Sequence, residues 1–259
     1  MAFERNILIV AILITLGTLA SQATSRTLYE ASIAAKHEQW MEKFGRVYQD
    51  SAEKERHHTG YKKPTESTSS ADASFTYKNL SLTDVPPSID WREQDAVTSV
   101  KDQGNCGGDM AKAFAYIQQN GGIASEENYP YQGSDGTCDM NLANEAAAKI
   151  TNYARVTPNS ETDLLKAVSM QPVSVAIVAS QAFQLYSGGL FTDDNCGTEL
   201  NHAVTIIGYG TTEDATPYWL IKNSWSGRWG ENGYMKILRN ADAPEGVCGL
   251  AMQASYPII

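Results

Sequence analysis

Residues 200–210 read LNHAVTIIGYG, and residues 218–234 read YWLIKNSWSGRWGENGY. Each contains an apolar run rich in β-branched and aromatic residues, AVTIIGYG and YWLIKNSW, closed by residues that favour turns. Two similar runs flank them, PVSVAIVA at 172–179 and GYMKILR at 233–239. From Val173 onward the chain therefore reads as short strands separated by turns. The same two stretches carry the single histidine of the second half, His202, and an asparagine, Asn223, set among Trp225, Trp229 and three glycines. A lone histidine beside a strand is usually structural, so the weight falls on the company it keeps.

Upstream the pattern changes to helical. Gly108 to Gly121 places Met110, Phe114 and Ile117 on one helix face. Ser160 to Ser169 reads as a second helix, with Ser160 as N-cap and Glu161 in the first turn. The stretch GGIASEENYPYQGSDGTC between them reads as loop. Helices first and strands later indicate an α+β fold. Nearer the N-terminus, Lys36 to Arg56 sets Trp40, Phe44 and Tyr48 at i, i+4 and i+8, an aromatic stripe on one helix face. Lys62 to Ser74 has linker composition. Asn79-Leu80-Ser81 is a glycosylation sequon. The apolar run Ile7–Ala20, followed by Ser21, Ala23 and Ser25, predicts a secretory signal over residues 1–25. It is too short for a membrane span, which needs about 20 apolar residues.

The 259 residues suffice for one domain or two small ones after leading segments. A net charge of −10, with no Lys/Arg run to offset it, argues against nucleic acid as a partner, because phosphate binding needs clustered cations. Four cysteines allow three pairings, which spacing alone leaves open. No His/Cys cluster has metal-ligand spacing, so neither metal nor cofactor is expected.

Residues 97–114 read VTSVKDQGNCGGDMAKAF. With the two stretches above, they resemble the papain-like cysteine proteases, in the plant senescence-associated type. The resemblance covers about 36–57 and 61–259 and implies a two-lobed papain-like fold, helical lobe first and β-barrel-like lobe second. It divides the chain into a signal peptide (1–25), a truncated inhibitory propeptide and linker (26–84) and a peptidase domain (85–259). It also implies site roles: His202 as base, Asn223 as its orienting partner, Trp225 as an indole shield, Gln103 as oxyanion-hole donor. Gly107, Gly108, Met110 and Asn201 would border the substrate pocket. The usual NSWG becomes Asn223-Ser224-Trp225-Ser226 here. The resemblance further implies a Cys196–Cys248 disulfide and leaves Cys106 and Cys138 as halves of broken bridges, paired together or free.

One residue type is out of place. Where the family continues C-G-[SA]-C-[WY], this chain has Cys106-Gly107-Gly108-Asp109-Met110, so Asp109 stands at the nucleophile position. A carboxylate cannot replace a thiolate in this acyl transfer. Asp109 precedes His202 by 93 residues and Asn223 by 114, each about 40 short of the usual ~130–150. One deletion near 107–109 explains both deficits. The chain then reads as a family member without its nucleophile, binding peptides or cystatin-like inhibitors without turnover. Two alternatives remain: an active peptidase using Cys106, or a mis-spliced product of an active protease gene. Loss of a buried helix also predicts a poorly folded product, since apolar burial is worth about 25 cal/mol per Å². A monomer in the secretory pathway, vacuolar, lysosomal or extracellular, acting on protein or peptide substrates and off the membrane after signal cleavage, completes the expectation.

Overall fold

The computed structural model of the protein describes residues 73–104, 108–134, 136–193 and 195–259. The signal-like run, the Trp40/Phe44/Tyr48 stripe, Cys106 and Gly107 lie outside them. The strands are, in chain order, β1 (Ile89–Asp90), β2 (Ile123–Ala124), β3 (Ala146–Ala148), β4 (Asn152–Arg155), β5 (Val173–Ile177), β6 (Leu190–Phe191), β7 (His202–Thr211), β8 (Pro217–Lys222), β9 (Tyr234–Leu238) and β10 (Ala254–Ile258). The helices are α1 (Met110–Gln119), α2 (Met140–Ala143), α3 (Glu161–Met170) and α4 (Gln181–Gln184). The four runs legible after Val173 become β5, β7, β8 and β9, and both expected helices form within two residues of their expected bounds.

One sheet holds eight strands in the order β4-β10-β5-β7-β8-β9-β6, with β1 added on β7. All neighbours are antiparallel except β6 and β9. The register sets Val175 opposite Val204 and Ile206 opposite Ile221. A register shift between Ile206 and Gly208 lets both Ile206 and Ile207 be buried. Gly208 is required where β1 crosses, because a Cβ there would stand 2.1 Å from the Ile89 carbonyl oxygen.

Helix α3 starts where its cap chemistry says it should. The Ser160 hydroxyl accepts from the Asp163 amide at 3.2 Å. Leu164, Ala167 and Val168 are fully buried and face the sheet. Glu161 fastens the helix to its neighbours: its carboxylate accepts from Trp219 Nε1 at 2.6 Å and from the Ala241 amide at 3.1 Å. Burial, only partly offset by those bonds, pushes its pKa up.

The helical part is built differently. Among the described residues the buried apolar core begins at Ala143. Helix α1 buries none of its residues. Its apolar face rests half-buried on β4, where Phe114 stacks on Tyr153 at 5.6 Å and Gln118 donates to the Thr151 carbonyl. Tyr116, Ile123, Tyr131 and Met140, all between 110 and 140, are 45–58 % exposed. The stretch 121–138, expected to be loop throughout, contains β2, which pairs with β3. The correction has a steric cause: Gly122 brings the chain so close to β3 that a Cβ would stand 2.5 Å from the Ala146 side chain.

Candidate active site

Strand β7 begins at His202, and Asn223 follows the last residue of β8. Because the two strands are antiparallel, with Thr205 opposite Lys222, these residues meet at one end of the sheet. The His202 ring nitrogen Nε2 and Asn223 Oδ1 are 2.8 Å apart and both residues are buried. Oδ1 can only accept, so Nε2 carries the proton and Nδ1 is left as the acceptor. Oδ1 also accepts from the Ser224 amide at 2.7 Å, which fixes the carboxamide's orientation. The Trp225 indole stacks on the imidazole, centroids 4.6 Å apart and planes 25° from parallel.

Behind this layer stands Phe183 of α4, which is fully buried. It stacks on Trp229 at 5.3 Å and meets Trp225 edge-on at 5.7 Å. Sequence reading missed Phe183. It lies in SQAFQLY, where nothing in spacing or composition marks it, and only the tertiary fold brings it under the site.

Gln103 arrives from a separate segment. Its amide donates to the Ser224 carbonyl at 2.9 Å, and the Ser226 amide donates to the Lys101 carbonyl, so residues 101–103 run beside 224–226. The Ser224 hydroxyl donates to Gln103 Oε1 in a very short contact. That bond leaves the Gln103 NH₂ as the donor the site can offer. Ser224 therefore steadies both amide side chains, a role not readable from NSW alone.

Ser226 adopts φ +62°, the left-handed region that favours glycine. The departure from NSWG thus falls where a side chain is strained, partly relieved by its hydroxyl accepting from the Arg228 amide. Ser226→Gly is expected to raise stability by about 1 kcal/mol, read as a shift in the denaturant midpoint. An unchanged or lower midpoint would refute the strain.

The remaining candidates divide. Met110 borders a cleft beside Asn223. Gly108 is exposed, with open space around it. Asn201 Oδ1 accepts from the Ala179 amide at 2.8 Å and ties down the end of β5. Asp109 is the N-cap of α1, its carboxylate accepting from the Ala111 and Lys112 amides. Cys196 and Cys248 form the disulfide, anchoring the loop before β7. Cys138 is free and exposed, while Cys106 lies outside the described residues.

Burial lowers the His202 pKa to about 4, against the opposing Asn223 hydrogen bond. The imidazole is therefore neutral above that pH. The unfolded chain takes up this proton near pH 6.5 and the folded one only near 4. Stability from this group falls as pH drops between those values. NMR titration of the His202 ring is expected to show a midpoint near 4; a midpoint at its ordinary value would mean an anion beside Nδ1.

The papain family cysteine protease model matches residues 107–258. Vignain from Phaseolus vulgaris is 43% identical over 231 aligned positions, covering 72% of this chain and 63% of the relative. A senescence-specific cysteine protease of Oryza sativa subsp. japonica is 33% identical over 311 positions, covering 88% and 91%. The bromelain protease from Ananas comosus, solved in complex with the E64 inhibitor, superposes with a TM-score of 0.64 at 39% identity over 68% of this chain and 100% of that one. The chain spans 63–64% of the length of the vignains it matches. A family match over more than half of the chain agrees with a sheet end that sets His202 against Asn223 beneath an indole: the chain belongs to the papain family of cysteine proteases.

Proposed function

We propose that this chain is a papain-family member that keeps the His202–Asn223 base, lacks the thiol nucleophile, and binds peptides or cystatin-like inhibitors without hydrolysing them. The carrying observation is Asp109. At the nucleophile's place in the motif stands a carboxylate engaged as a helix N-cap. Such a group neither attacks an amide nor forms the thiolate–imidazolium pair this chemistry needs. The neutral imidazole fits that reading, since a thiolate partner would favour its protonated form.

The alignments support an internal loss. The vignain alignment takes 231 positions but 72% of 259 residues, about 186, so about 45 positions of the relative face a gap here. The longer rice alignment takes 311 positions against 88%, about 228 residues, leaving about 83. Two losses of about 40 residues, one in the peptidase domain and one upstream, account for both figures. The lack of buried apolar core residues before Ala143 among the described residues is what such a loss would leave.

E64 and intact-mass measurement test the reading. No adduct on the full chain is expected, while an adduct mapped to Cys106 would establish the thiol as reactive and overturn it. The alignment gaps also favour a second reading of origin, a mis-spliced or misassembled product of an ordinary protease gene. Sequencing the transcript across the codons for Gln103 to Met110 decides: about 45 inserted codons, including C-G-x-C-W, are expected from that origin, and a transcript as written excludes it. The run Ile7–Ala20 and the disulfide support a route through the secretory pathway, to a vacuole or lysosome or outside the cell.

A further inference from the structure

Beside the His202–Asn223 pair, at the N-terminal end of α1, lies an open cleft of about 240 Å³. Three of its lining residues form one row across the sheet: Ser174 of β5 pairs with Thr205 of β7, and Thr205 pairs with Lys222 of β8. Their chain neighbours Val173, Val175, Val204, Ile206 and Ile221 point the other way, into the core. A polar row on a central sheet face, ending in an ammonium, is costly unless something polar meets it. The hydroxyls of Ser174 and Thr205 make no hydrogen bond among the described residues.

Lys101 adds a second cation to the lining. Lys222 Nζ donates to the Thr98 carbonyl at 2.8 Å and the Thr98 hydroxyl at 3.1 Å, which leaves one of its three N–H groups. Lys101 Nζ sits 2.6 Å from the Glu126 carboxylate, which is half exposed. Burial, then the nearby Lys101, lowers the Lys222 pKa; Glu126 opposes this. A bound anion would relieve both effects. Asn223, also in the lining, has a buried Nδ2 without a partner. Asp109 is the one carboxylate at the adjoining helix end, and it is held by the Ala111 and Lys112 amides. The lining itself holds two lysines and no carboxylate, on a chain of net charge −10.

We propose that the cleft binds a peptide carboxylate, an acidic side chain or a free C-terminus, with Lys222 and Lys101 as charge partners and Ser174 and Thr205 as hydroxyl donors. This rests on the reading that the chain binds peptides without turnover, and it names the chemistry they present.

The test is an NMR titration of the full chain with three acetylated pentapeptides, AAEAA amide, AAQAA amide and AAQAA free acid, following the Lys222 and Asn223 amides. A carboxylate peptide is expected to bind about tenfold tighter than the neutral amide. Tighter binding of AAEAA amide identifies the side chain as the source, and tighter binding of the free acid identifies the C-terminus. The preference is expected to vanish in Lys222→Met and to survive in Lys236→Met, whose lysine pairs with Glu231 instead. In the unmodified chain it is expected to collapse between about 0.02 M and 0.5 M salt, which keeps the test alive if Lys222→Met fails to fold. Equal affinity for all three peptides, or a preference that outlasts salt or the substitution, overturns the carboxylate site alone. No binding of any peptide overturns it together with the peptide-binding reading.

Discussion

The purified full chain is expected to turn over a fluorogenic peptide at least about 10⁶-fold more slowly than an intact papain-family relative, the scale of loss seen when a covalent nucleophile is removed from a protease. Much of what the reaction needs besides the nucleophile is in place. His202 has the right tautomer, with Nε2–H held by Asn223 and Nδ1 left to accept. Trp225 covers the ring and Ser224 aims the Gln103 amide. On the proposed reading, what is missing is the atom that forms the covalent bond. Asp109 is committed to two backbone amides, and Cys138, the free cysteine among the described residues, is exposed, its thiol donating a weak hydrogen bond to Met140 Sδ at 3.9 Å. A misplacement of about 1 Å already costs about a hundredfold, so Cys106, three positions before Asp109 in the sequence, is expected to give no useful rate. Turnover within about a hundredfold of the relative, lost on Cys106→Ser, would defeat this conclusion.

Phe183→Ala is expected to cost about 3–5 kcal/mol, the range for emptying a buried phenylalanine site. Native domains hold only about 5–15 kcal/mol in reserve. The residue is wholly buried and touches Trp229, Trp225, Phe191 and His202 in turn. Its loss should therefore lower the melting temperature by roughly 10 °C and also disturb the His202 ring signals. Phe114→Ala in α1 is the contrast. Phe114 is half-buried against Tyr153 on a helix that buries nothing, and its loss should cost under about 1 kcal/mol. Equal destabilisation by the two substitutions would show that the helical part shares the cooperative core. Because that part adds so little burial, the unmodified chain should melt at or below about 45 °C, the lower edge for mesophile domains.

Much of the β half was legible because strand signals there are local. The runs after Val173 alternate or run apolar between turn residues, and β5, β7, β8 and β9 follow them. Helix α3 was legible from one serine cap followed by an apolar face. Strand β2 was not, because its pairing depends on Gly122 meeting Ala146 across 24 residues of chain. Nor was the partner of Asn201 legible: its side chain accepts from the Ala179 amide, 22 residues earlier, a contact that only the tertiary fold makes.

Residue types at fixed spacing determined the family by themselves, and through that resemblance they pointed to His202, Asn223, the Cys196–Cys248 pair and Asp109. The tertiary structure alone decided what those residues touch. Phe183 lies under the imidazole, Ser224 joins Gln103 to Asn223, and Ser174, Thr205 and Lys222 align into one polar row beside Lys101. These are register and packing relations between segments up to 121 residues apart, and no local pattern encodes them, since strand pairing sets which side chains share a face.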